Sequence, residues 1–140
     1  MTTSNATLSG AVKYVLESAG LGLSVFRDVA PPKAHLPFAV VTEGVSRTPL
    51  PSGDVGATNE LVLREQYQVD VWQALRSANG DRTENYDLFT HVAILLHNTK
   101  LPTWIHHVYG CRVLNVVSSL GTPDLRRDVL TVQVNRRFTA

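Results

Sequence analysis

Residues 61–73, LVLREQYQVDVWQ, set the frame for the whole chain. Leu61, Leu63, Tyr67, Val69 and Val71 fall on one side of an extended backbone, and Arg64, Gln66, Gln68 and Asp70 fall on the other. That alternation predicts a strand with one buried face. Carried from Leu61 to Gln73 it spans on the order of 40 Å at about 3.3 Å per residue. This is long for a strand, so one end is expected to project beyond the body of the domain. Trp72 falls on the otherwise polar face.

Outward from this strand, the turn RSANGDR (76–82) leads to a helical pattern from about Thr83 to Asn98. Thr83 is placed to cap it, and Glu84 and Asp87 suit the positive end of its dipole. Tyr86, Phe89, Val92, Ala93 and Leu96 form its core stripe; Leu88 and Leu95 sit on the shoulder, and Ile94 lies on the far side. An earlier helix is expected from Leu8, with Ala11, Val12, Val15, Leu16 and Ala19 on one stripe and a stop at Gly20 and Gly22. Leu23–Arg27 reads as a short strand. The near-continuous apolar run Phe38–Glu43 reads as a central strand covered on both faces. Residues 44–60, GVSRTPLPSGDVGATNE, have no period and read as a long loop. Residues 103–109 suggest a short edge strand. Cys111–Ser119 and Arg127–Phe138 are two closing strands joined by a turn at LGTPD. The expected class is α+β: one domain over residues 7–140, a mostly antiparallel sheet with two helices on one face, and a flexible arm at 1–6.

The composition excludes more than it selects. At 140 residues there is room for one domain with a real core. A net charge of +1 supplies no broad electrostatic footprint for nucleic acid or an anionic membrane. The start, MTTSNATLSG, has neither the basic nor the apolar region of a secretory signal, and no run approaches a membrane span. The single cysteine, Cys111, forms no internal disulfide and suits a reducing cytoplasm.

No catalytic or metal-binding pattern stands out. His106 and His107 are adjacent on an expected strand and point to opposite faces. His91 and His97 stand about 240° apart around a helix. Glu84, Asp87 and His91 do share a helical face, and a small metal-binding or hydrolytic enzyme using them is the reading from another class. A solvated polar face explains them more simply. There is no GxSxG elbow, and SGDVGATNE lacks the lysine and spacing of a phosphate loop. The pairs Arg126–Arg127 and Arg136–Arg137 lie roughly 33 Å apart on a strand and diverge within each pair. They read as strand-end charges that keep edges soluble. The chain is therefore read as a protein without catalytic, cofactor or metal sites.

What remains is surface for association. Burying Trp72 or Ile94 at a subunit contact would contribute about 1.5 to 3 kcal/mol each, and tryptophan is over-represented among binding hot spots.

The order of elements then carries a resemblance. An N-terminal helix precedes SVFRDVAPPKAHLPFAVV, in which a short strand, a proline loop and a Pro-aromatic strand follow one another. The long strand YQVDVW ends in Val71-Trp72, and SANGD, the helix NYDLFTHVAILL and two closing strands complete the chain. Over roughly Val12 to Arg137 this resembles the tail terminator, or tail completion, proteins of long-tailed bacteriophages. The resemblance implies a virion protein of the tail and neck, assembled in the host bacterial cytoplasm. It implies a ring, usually a hexamer, that caps the tail tube, stops its polymerisation and docks the head connector. Its partners would be itself, the tail tube protein and the head–tail connector, with DNA passing through the lumen. The nearest variant is another connector component, a stopper or adaptor ring. The length of 44–60 and the segment KLPTWIHHVYG (100–110) depart from the family pattern.

The expected interface residues are Pro31, Pro32 and Pro37 in the proline loop, Arg47 and Leu50 in the irregular segment, Trp72, and Leu88, Ile94 and Leu95 on the second helix. Proline fixes φ, so a proline loop presents a contact surface at lower ordering cost. Replacing Pro31, Pro32 and Pro37 with alanine is expected to weaken assembly more than monomer folding. Native mass and urea titration of the triple variant check this; unchanged assembly at unchanged stability would sink the idea.

Overall fold

The alternating segment is strand β3, Glu60–Ala74, and its main partner is the last strand, β5, Leu125–Thr139. They pair antiparallel with no register shift, from Glu60↔Thr139 to Ala74↔Leu125. The computed structural model describes residues 7–49, 60–75, 87–97, 101, 107–122 and 125–139. Within them, helix α1 (Leu8–Glu17), β1 (Ser24–Arg27) and β2 (Phe38–Pro49) precede β3; helix α2 (Leu88–Leu96) and β4 (His107–Thr122) lie between β3 and β5. The sheet order is β1-β2-β3-β5-β4. Every neighbouring pair is antiparallel except β1 and β2. The α+β expectation is met, with both helices contributing to one core on one side of the sheet.

The core is a short window of the long strands. Tyr67, Val69 and Val71 of β3 and Leu130, Val132 and Val134 of β5 are fully buried, with Ala39 and Val41 of β2 and Cys111 of β4 beside them. Over them lie Ala11, Val12 and Leu16 of α1 and Val92 and Leu96 of α2. Toward the start of β3 the core stops: Leu63 and Arg64 are outside it and Leu61 is 46% exposed. That end of β3 is the projecting part the long alternation implied.

Helix α1 is capped by the Thr7 side chain, which accepts from the Gly10 N–H. It ends at Ser18, and Gly20 takes a φ of +72° that L-residues rarely adopt. In α2 the buried residues are Leu88, Val92 and Leu96, a clean four-residue repeat. Leu88, expected on the shoulder, is a core residue, because the buried stripe is rotated toward it and away from Phe89 and Ala93, which pack at its margin. Thr83, Glu84 and Tyr86 lie outside the described residues, as do Leu50 and residues 1–6.

Four further expectations are corrected. Residues 44–49 are not loop: β2 continues through them to Pro49, with a register shift between Thr42 and Ser46. Gly44, at a φ of +75°, accommodates that bulge. The run Phe38–Glu43 is covered on one face only, with Ala39 and Val41 inward and Phe38 and Val40 half-exposed. Residues 107–109 are not a separate edge strand but the beginning of β4. And β5, which carries the arginine pairs, is interior to the sheet, so those charges do not protect an edge.

The proline loop has an intramolecular job. Because β1 and β2 run parallel, the chain must travel back from Arg27 to the level of Ser24 before β2 begins. Asp28, at a φ of +69°, starts the reversal, and its N–H donates to the Val41 carbonyl at 2.9 Å. A turn closed by the Ala34 N–H on the Pro31 carbonyl follows. Pro37 then launches β2, where a missing N–H costs least.

Truncating Leu96, fully buried, should cost about 2 to 5 kcal/mol. Truncating Ile94, on the same helix and 67% exposed, should cost no more than about 0.5 kcal/mol. Urea unfolding of Leu96→Ala and Ile94→Ala, compared with the parent chain, checks the orientation of α2.

Candidate functional site

Buried charge brackets the core at both ends. At the projecting end, Glu65 is 2% exposed, and it faces two cations. Arg136 Nη1 lies 2.9 Å from Oε2, and Arg47 Nε lies 3.1 Å from Oε1. Arg47, expected at an interface, therefore has its guanidinium tied across the β2 bulge. At the other end Asp128 is fully buried, with Arg126 Nε 3.0 Å away and the Ser118 hydroxyl donating to its second oxygen. The Arg126 guanidinium lies 5.8 Å from the centre of the Phe89 ring, so α2 rests partly on this ion pair. Removing one partner of such a pair strands the other in a dry site, at roughly 3 to 5 kcal/mol. Sequence spacing marked none of these carboxylates, because Glu65 and Asp128 sit in strands that also carry exposed polar residues.

In the middle of the core the Tyr67 hydroxyl lies beside the Cys111 thiol. Burial pushes the tyrosine well above its ordinary range and the thiol up to about 11, the latter only partly offset by the nearby tyrosine hydroxyl, which makes no well-formed hydrogen bond among the described residues of the core. Among the described residues no cluster of His, Cys, Asp and Glu is arranged to hold a metal ion. Of the face proposed for one, Asp87 and His91 are described and Glu84 is not; the Asp87 carbonyl accepts the His91 N–H as part of the helix. His106 lies outside the described residues. No described helix is long and apolar enough to cross a membrane.

The sheet face away from the helices is open and divided. The strand registers place Phe38, Trp72, Arg127 and Ser119 in one row across four strands, and Phe26, Val40, Asp70, Val129 and Val117 in the next. Trp72 stacks on Phe38 with ring centres 6.2 Å apart, and Phe26 meets Phe38 edge-on at 6.0 Å. Arg127 lies 5.1 Å over the Trp72 ring while its guanidinium binds Asp70. Trp72 is thus half-covered from within its own chain. The following rows are polar: Thr42, Gln68, Thr131 and Asn115, then Ser46, Gln66, Gln133 and the cationic Arg112.

On the other side of the molecule Ile94 stands as a ridge between two apolar grooves. Thr90, Ala93, His97 and Val113 line one with it; Ala19, Leu21, His91 and Leu95 line the other. Leu95 is partly buried against the core. His91 and His97 flank the ridge on opposite sides, as their spacing implies. Pro31 and Pro32 are exposed and Pro37 is half-buried, away from this ridge in sequence. The expected interface residues therefore do not gather into one patch: Trp72 is on the open sheet face, Ile94 and Leu95 on the helix face, and Leu88 inside.

No protein-family model matches the chain, and no curated protein matches it. A solved structure does. A chain of the "Virion of native gene transfer agent (GTA) particle" superposes with a TM-score of 0.66 at 17% identity, covering 98% of this chain and 99% of that one. At that identity the likeness establishes the fold.

With its thiol pKa raised to about 11, native Cys111 should react with iodoacetamide far more slowly at pH 8 than the unfolded chain does. The raised value also sets a sign. The stabilisation is complete below the ordinary thiol pKa of 9.0 and is lost as pH rises toward about 11. Alkylation rates with and without denaturant check the first; equal rates would place the thiol outside the core.

Proposed function

We propose that this chain is a structural virion protein, acting as a tail terminator: a ring on the end of the tail tube that stops polymerisation and receives the head connector. The observation that carries the reading is the end-to-end likeness of its fold to a chain of a gene transfer agent virion. The sequence order of proline loop, Pro-aromatic strand and Val71-Trp72 strand end points to the terminator role in particular. The surface supports a self-associating protein rather than an enzyme. Its distinctive features are an open sheet face, the exposed Ile94 ridge and its two shallow apolar grooves. A ring of this kind works by shape, its lumen passing DNA and its two rims meeting different proteins. No cofactor and no chemistry are required of it.

The test is made on particles and on the purified chain. Particles lacking it should carry tail tubes of uncontrolled length that do not join heads, and the purified chain, alone or on tail tubes, should give closed rings by negative-stain microscopy. Normal tail length in its absence would sink the terminator role. Normal tubes that simply fail to join heads would move the protein to the stopper or adaptor position.

A further inference from the structure

We infer that the polar half of the open sheet face is a contact surface for the backbone of double-stranded DNA, with Arg64 and Arg112 as its phosphate contacts. The inference rests on the ring reading above and says which face of the chain turns toward the lumen.

The charges of the sheet are sorted by face. Along β2–β5 the carboxylates Glu43, Glu65 and Asp128 belong to the helix side. Glu43 accepts the Ser9 N–H of α1, Glu65 holds Arg136 and Arg47, and Asp128 holds Arg126. On the open face, from the row of Phe38 and Trp72 to the row of Thr48, Arg64 and Asn135, the one carboxylate is Asp70, and Arg127 neutralises it. Arg64 and Arg112 stand on this same face, both exposed, and neither has an ion-pair partner among the described residues. A net charge of +1 therefore conceals a face of one sign.

Around the two guanidiniums the face offers hydroxyls and amides, in the two polar rows above and in a third that adds Thr48 and Asn135. Arg64 and Arg112 lie two strands and one row apart, roughly 12 Å between their backbones. Cations so spread fit an extended polyanion better than one small anion. The neutral side chains add hydrogen bonds to phosphate and sugar oxygens, which position a backbone without reading its sequence.

The aromatic half of the face selects duplex over single strand. A single strand is held by stacking its unpaired bases on open aromatic rings. Here Trp72 is stacked on Phe38 and covered by Arg127, and Phe26 meets Phe38 edge-on. These rings are engaged with one another, and they lie in other rows than the two unpaired arginines. What the face leaves available suits a phosphate backbone, and a duplex presents that backbone on its outside. A few weak contacts per copy, repeated around a ring, would centre a duplex in the lumen and still let it slide.

The test is binding of fluorescently labelled DNA duplexes of unrelated sequence to the full chain, read as anisotropy over a range of salt. The duplexes should bind equally at low salt and be released as salt rises. Arg64→Gln and Arg112→Gln should each weaken binding several-fold. Each should also lower the slope of log K against log salt by about 1 for the monomer. Lys13→Gln and Lys33→Gln, outside the sheet, should change neither. Gln133→Glu, which sets a carboxylate beside Arg112, should abolish binding, and urea unfolding of each variant checks that the fold is kept. No binding by the parent chain at low salt, equal losses from the lysine variants, or tighter binding of single strands would each overturn the inference. So would a double arginine variant that keeps its DNA affinity and loses native mass, which would make the face a subunit contact. Microscopy of the same samples on tail tubes separates the inference from the ring. Duplex held through both arginines by a chain that forms no ring keeps the face and discards the ring; rings indifferent to DNA do the reverse.

Discussion

The unshifted β3–β5 ladder is the constraint on which the other elements depend. Both strands are fifteen residues long and pair over their whole length. A slip of one residue would turn Tyr67, Val69 and Val71 from the core to the open face, so the register is strongly specified in that window. β2 is then aligned by Phe38↔Trp72 and Val41↔Val69, and β4 by Val116↔Leu130. The helices cover only the buried rows, and the rest of the ladder is left to project.

Where the apolar rows end, the ladder carries charge instead of stopping. Glu65 lies opposite Val134, and Asp128 lies opposite Val71, each on the core side of the sheet. Ion pairs in such places contribute little net stability, because desolvation offsets much of their attraction. Their effect is on geometry. Glu65 ties β5 to the bulged part of β2 through Arg136 and Arg47, and Arg126 with Asp128 supports the ring of Phe89 under α2. These pairs hold the long strands in place past the edge of the hydrophobic core.

One-sided coverage also changes which residues remain available for association. Trp72 is half-covered by Phe38 and by Arg127, so part of its apolar surface is already out of water. Ile94 has no such cover, and neither do Val117 and Leu114 on the margin. Ile94 and Val117 are therefore more exposed than the tryptophan.

Periodicity in the sequence was sufficient for the long strand, both helices and the α+β class, since alternation and the 3.6-residue stripe report directly which side of an element is buried. The projecting end of β3 and the exposure of Ile94 were legible on the same ground. Periodicity could not say that Leu88 belongs inside, because a helix apolar over so wide an arc is oriented by what packs on it. Nor could it extend β2 through GVSRTP, whose extended form is held by a partner strand and by Arg47 bound to Glu65. The buried carboxylates were hidden for a related reason: Glu65 and Arg136 are 71 residues apart, and only pairing of the two strands brings them together. The parallel placement of β1, and with it the reason for a proline loop, was likewise decided by the tertiary structure. Local sequence records which face of a segment avoids water; which segments become neighbours, and therefore which charges can be buried, is set by the assembled sheet.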